Sequence, residues 1–140
     1  MPENQTKEKI DTLKSIGAYL RLVAAKPYKD DNNYVKVSRR LAEELKPSIP
    51  SGVIWANQFD NLANCKGHYA TTGQEIWQQT NGEINGFVCS SGTGGTIAGV
   101  SKALKEKNKN IKIVLSDPKG SALYQYIKSN EFIRFGTIFS

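Results

Sequence analysis

A short apolar run, Ile84 to Cys89, passes through Ser90-Ser91-Gly92-Thr93-Gly94-Gly95-Thr96-Ile97-Ala98-Gly99 into an amphipathic segment with helical spacing. A glycine-rich turn between strand and helix constrains the chain more than any other feature. It gathers several backbone N–H groups and the positive end of a helix dipole around one point, which is an arrangement that binds phosphate. Glycine allows a ligand to approach the backbone closely and allows turn residues to take positive φ. Thr93 and Thr96 add hydroxyl donors.

Local patterns extend this unit in both directions. Ile10, Leu13 and Ile16 predict a helix over Thr6 to Ile16 with Gly17 as its C-terminal cap. Ala18 to Ala24 reads as a buried strand. A second helix is expected to be capped by Asp31 or Asn32, with Tyr34, Val37, Leu41 and Leu45 on its apolar face and Pro47 and Pro50 ending it. Gly52 to Ala56 reads as a strand and Asn57 to Gly67 as a polar loop. Thr72 and Glu75 have capping-box spacing, Thr71 is a further capping candidate, and that helix is expected to run to Thr80. After the Asn81-Gly82 turn come the strand Ile84 to Cys89, a helix Thr96 to Lys107, a strand Ile111 to Ser116 and a helix Ser121 to Lys128. The tail Glu131 to Ser140 carries no clear pattern.

Alternating helices and apolar strands indicate an α/β fold built from parallel-sheet units. Ligands in such folds sit beyond the carboxyl ends of strands. Both Asn57-Gln58-Phe59 and the glycine loop follow predicted strands.

With 140 residues, 39% hydrophobic and 23% charged, the chain has the composition of one soluble globular domain. The apolar stretch Ile16 to Ala25 is interrupted by Arg21 and falls short of the roughly 20 residues a membrane span requires. Met1 is followed by Pro2, Glu3 and Glu8, not by the basic segment and apolar core of a secretory signal, so an intracellular location is expected. Cys65 and Cys89 with the single His68 cannot complete a four-ligand zinc site, and Cys89 is expected to be a buried thiol. The net charge of +6 centres on Lys102, Lys105, Lys107, Lys109 and Lys112. These residues complement a helix C-terminus, and no aromatic residues interleave with them to stack bases, so no nucleic-acid partner is expected.

Two familiar phosphate motifs are excluded or incomplete. Gly94 and Gly99 have P-loop separation, but Val100 stands where lysine is required. Gly92 and Gly94 begin a dinucleotide fingerprint, but Ile97 occupies the place of its third glycine, although Asp117 sits where a ribose-binding acid would be expected. His68 reads as a structural imidazole, Trp55 and Trp77 as core residues, and Asp117 as the turn residue before Pro118.

Gly92-Thr93-Gly94-Gly95-Thr96 resembles the phosphate-binding loop of the cysteine synthase and cystathionine β-synthase family of pyridoxal-phosphate enzymes. Asn57-Gln58-Phe59-Asp60-Asn61-Leu62-Ala63-Asn64, followed by His68-Tyr69-Ala70-Thr71-Thr72-Gly73-Gln74-Glu75-Ile76-Trp77, resembles the family pattern N-Q-F-x-N-P-A-N…H-Y-x-T-T-G-P-E-I-W. Asp117-Pro118-Lys119-Gly120-Ser121 resembles its D-P-x-G-S, and Met1 to Ala18 is similar to an internal stretch of these enzymes. The resemblance runs from residue 1 to about 128, with the T-T-G-x-E-I-W string closer to the cysteine synthase branch.

The resemblance implies a fold-type-II enzyme, with residues 1–56 in the smaller domain and 57–140 in the larger. It implies pyridoxal 5′-phosphate held by Gly92, Thr93, Gly94, Gly95 and Thr96, with Gln58 at the substrate carboxylate. The reaction implied is a β-replacement, a transferase or lyase chemistry that makes cysteine from O-acetylserine and sulfide. A homodimer in the cytoplasm or mitochondrion, acting on a small amino acid, goes with it. Leu62, Cys65 and Gln74 depart from family prolines. The family's Schiff-base lysine lies in an S-x-K-D-R-like motif, and none of the fifteen lysines here occupies one. The T-S-G-N-T substrate loop and the serine that contacts the pyridine nitrogen are also missing. The expectation is an internal fragment, inactive alone, with no catalytic residue of its own and no metal. The alternatives are a cystathionine β-synthase-like enzyme or a non-catalytic binder of a phosphorylated ligand.

Overall fold

A computed structural model of the chain describes residues 1–129. Those residues fall into two compact units that divide between Asn57 and Gln58. The tail 131–140 lies outside the described residues.

The first unit holds two helices. α1 spans Lys7–Ser15, and the chain leaves it through Gly17 at φ 83°, a conformation glycine adopts without steric cost. α2 spans Tyr34–Leu45 and runs into a short 3-10 turn, Lys46–Ser48. Its cap is Asn33, one residue beyond the expected Asp31 or Asn32. Asn33 Oδ1 accepts from Val35 N–H at 3.0 Å while Nδ2 donates to the Lys26 carbonyl at 2.7 Å. One buried carboxamide thereby starts the helix and ties down the preceding loop. Trp55 Nε1–H donates to Ser38 Oγ at 3.1 Å and its ring lies under Arg39, so the indole is pinned on α2.

Two expected strands are not formed. Ala18 to Ala24 contributes a single parallel bridge, Val23 to Pro2, and Tyr19 is 94% exposed. Gly52 to Ala56 is irregular, with Ile54 93% exposed. An apolar run becomes a strand only when a neighbouring strand satisfies its N–H and C=O groups. No such neighbour lies among the described residues.

The second unit contains the sheet. β1, Gly86–Ser90, pairs in parallel with β2, Lys112–Ser116, placing Val88 opposite Val114 and Ser90 opposite Ser116. Parallel neighbours need a crossover. Here it is α5, Gly95–Lys107. α5 buries Val100, Ala103 and Leu104, and Ile111 joins them, with Ile76, Trp77, Ile84, Phe87 and Ile113 packed around this core. The alternating side chains on the other face, including Val88 at 64% and Val114 at 47% exposure, are uncovered. The two strands therefore cover one face and leave the other exposed. Cys89 is half-buried, its thiol donating to the Ser90 carbonyl at 3.1 Å, and both it and Cys65 are free thiols.

α3, Ala63–Ala70, forms inside the segment expected to be a polar loop, and α4, Thr72–Gln79, follows it almost directly. α3 lacks an apolar stripe, and it packs closely on α5. Its first turn is fixed by Asn61 Oδ1, which accepts from Ala63 N–H at 2.9 Å. α6, Ala122–Ser129, begins at Ser121, whose Oγ accepts from Leu123 N–H at 3.1 Å, while Asp117 Oδ2 accepts from Tyr124 N–H at 3.1 Å. Asp117 thus anchors a helix start as well as preceding Pro118. No helix among the described residues is long and apolar enough to cross a membrane.

Candidate functional site

Ser90 to Thr96 joins the carboxyl end of β1 to the first turn of α5. Gly94 caps the helix at φ 82° without a side-chain bond. Its carbonyl receives the Ala98 N–H at 3.0 Å, the earliest intrahelical bond of α5. The N–H groups of Gly95, Thr96 and Ile97 precede that bond and have no backbone acceptor among the described residues. With the helix dipole behind them they are placed to donate to an anion. Lys105 and Lys107 sit in the last turn, so the cations gather at the opposite end of α5, as the charge pattern predicted.

The glycines serve two different purposes. Gly92 faces open space, and Gly94 supplies the left-handed turn. Gly95 and Gly99 are instead required by protein packing. A Cβ on Gly95 would lie 2.5 Å from the Asn64 carboxamide, and one on Gly99 would lie 2.3 Å from the Cys65 carbonyl oxygen. Gly99 therefore permits a close contact between α5 and α3.

Two side chains of α3 hold the two threonine hydroxyls of the loop. Asn64 Nδ2 donates to Thr93 Oγ1 at 3.2 Å. His68 Nε2 lies 3.0 Å from Thr96 Oγ1, and its Nδ1 lies 2.9 Å from Thr72 Oγ1. Both imidazole nitrogens are engaged, which gives His68 the structural place expected for it. Thr72 is thereby drawn away from capping α4, and Thr71 Oγ1 donates back to the Gly67 carbonyl at 3.0 Å, so neither threonine caps the helix with its side chain. Asn64 is marked in the sequence only by its place at the end of the N-Q-F-x-N-x-A-N string, and its partner Thr93 lies 29 residues away.

Gly92, Thr93, Gly94, Gly95 and Thr96 are thus brought together in one loop. Gln58 lies apart in an exposed turn ahead of α3 and makes no hydrogen bond to the loop. No group of three or more His, Cys, Asp or Glu side chains among the described residues is placed to hold a metal. Tyr69 donates to Glu106 Oε2 at 2.6 Å, and this bond and the carboxylate charge raise its pKa above the ordinary tyrosine value. Free N–H donors, an open glycine and a held hydroxyl fit a phosphate group.

The family model described as "Pyridoxal-phosphate dependent enzyme" matches residues 1–135. The chain belongs to this family. Its members depend on pyridoxal phosphate, and the helices with a small parallel sheet agree with their α/β, fold-type-II architecture. Among curated relatives of this chain, "Cysteine synthase 2" of Schizosaccharomyces pombe is 45% identical over 129 residues, which is 91% of this chain and 33% of that protein. "Cysteine synthase 1" of Neurospora crassa is 44% identical over 130 residues, covering 92% and 33%. "Cystathionine beta-synthase" of Apis mellifera is 40% identical over 124 residues, covering 88% and 24%. The chain spans about a third of the length of the cysteine synthases it matches.

Proposed function

We propose that this chain provides the cofactor-phosphate loop of a β-replacement enzyme making cysteine from O-acetylserine and sulfide. The carrying observation is the first turn of α5, whose N–H groups of Gly95, Thr96 and Ile97 lack backbone acceptors beside Thr93. Family membership and the cysteine synthase relatives support pyridoxal 5′-phosphate as the ligand. Gly92, Thr93, Gly94, Gly95 and Thr96 would hold its phosphate. When bound, the cofactor supplies an electron sink for the amino-acid substrate. Gln58 would take the substrate carboxylate, its exposure leaving the amide available.

The division at Asn57 supports assigning residues 1–56 to the smaller domain of the enzyme and 57–140 to the larger. A homodimer acting on a small amino acid in the cytoplasm or mitochondrion belongs to the same proposal. The 140 residues alone are proposed to bind without turnover, because no lysine in them stands in an S-x-K-D-R-like motif.

Equilibrium dialysis of the purified chain with pyridoxal phosphate tests the loop. Saturable binding displaced by inorganic phosphate is expected, and binding that phosphate does not displace would overturn the assignment. A cysteine-formation assay with O-acetylserine and sulfide tests the second part: cysteine production by the 140-residue chain would overturn its inactivity.

A further inference from the structure

We infer that Asn64 is a positioning residue that turns Thr93 into a donor for the phosphate; this rests on the loop assignment proposed above. Asn64 is the second residue of α3, whose first turn is secured by the Asn61 carboxamide. Its Nδ2–H occupies a lone pair of Thr93 Oγ1 at 3.2 Å, across 29 residues of chain. A hydroxyl that already accepts a hydrogen bond still has its own proton to donate. That is the only side-chain hydrogen bond of Thr93 among the described residues. The carboxamide is also confined sterically, since only a glycine at position 95 leaves it room.

The loop's two threonine hydroxyls are therefore treated differently. Thr96 is tied to His68 in a part-buried network that reaches Thr72, which suits a structural joint. Thr93 is exposed and held by one neutral donor, which suits a ligand contact whose orientation is set in advance. Holding the hydroxyl before the anion arrives spares part of the ordering cost of binding.

The test uses pyridoxine 5′-phosphate as probe. It keeps the ring and phosphate but lacks the aldehyde that would react with lysines. Dissociation constants are measured by equilibrium dialysis for the full chain and for Asn64→Ala, Thr93→Val and the double variant, each checked by circular dichroism. Asn64→Ala is expected to weaken binding about threefold to tenfold and Thr93→Val at least as much. In the Thr93→Val background, Asn64→Ala is expected to add nothing. Thr93→Ser, which keeps the hydroxyl, is expected to restore sensitivity to Asn64→Ala. Losses that simply multiply, or an Asn64→Ala chain that binds as tightly as the unsubstituted one, would overturn the inference. Asn64→Asp keeps the shape but can only accept, so it captures the Thr93 proton; undiminished binding by that variant overturns the inference even if Asn64→Ala does not fold. A failure of the unsubstituted chain to bind the probe overturns the loop assignment and the role of Asn64 together, whereas binding indifferent to Asn64 overturns that role alone.

Discussion

His68 Nε2 lies 3.0 Å from Thr96 Oγ1, joining the last turn of α3 to the first turn of α5. The other ring nitrogen meets Thr72 Oγ1 at the start of α4, so one imidazole fixes three helices. The glycine loop is thus held by helix packing as well as by its own backbone.

His68→Ala leaves two part-buried hydroxyls without their partner. Urea unfolding is expected to show a loss of about 1–3 kcal/mol. Coupling with Thr96→Val should be measurable, and strict additivity of the two losses would argue against the joint.

Gly99→Ala places a methyl group 2.3 Å from the Cys65 carbonyl oxygen and 2.8 Å from the His68 Cβ and Tyr69 N, so the backbones of α3 and α5 must separate. A cost of about 1–3 kcal/mol or more is expected. Gly67→Ala makes the opposite change. It lies inside α3 with nothing within 4 Å of a new Cβ, and a gain approaching about 1 kcal/mol is expected. Thermal melting of the two variants in parallel decides both.

Leu104 is fully buried against Val100 and Ile111. Leu104→Ala should cost about 2–5 kcal/mol, the range for a buried leucine that leaves a cavity. A change below about 1 kcal/mol in urea unfolding would place the core of this unit elsewhere.

Glu106 raises the pKa of Tyr69, so the folded chain favours the protonated phenol. This stabilisation is fully present below the ordinary tyrosine value of about 10 and is lost as pH rises through the higher folded value. The stability difference between the chain and Tyr69→Phe should therefore be flat from neutral pH to about pH 9 and shrink above about 10. Urea unfolding across that range, at low and high salt, measures it. A difference that grows in alkali would reverse the assigned sign.

The sequence by itself determined what depends on near neighbours. The helix carrying Ile10 and Leu13, the glycine cap at Gly17, a positive φ within the glycine loop, and strands within the two apolar runs on either side of that loop and its helix all appear in the structure where expected. The strand–glycine–helix turn and the family resemblance were legible for the same reason, because both are encoded in contiguous residues. Tertiary structure decided what depends on distant partners. Ala18 to Ala24 and Gly52 to Ala56 have strand-like composition but lack ladder neighbours, whereas α3 has little helical pattern and forms by packing on α5. Gly95 and Gly99 are glycines because Asn64 and the Cys65 backbone lie against them, and His68 reaches Thr96 across 28 residues. Local φ and ψ preferences can be read along a chain. Whether a backbone group, a hydroxyl or a missing Cβ finds its partner is settled only when segments far apart in sequence come within a few ångströms of each other.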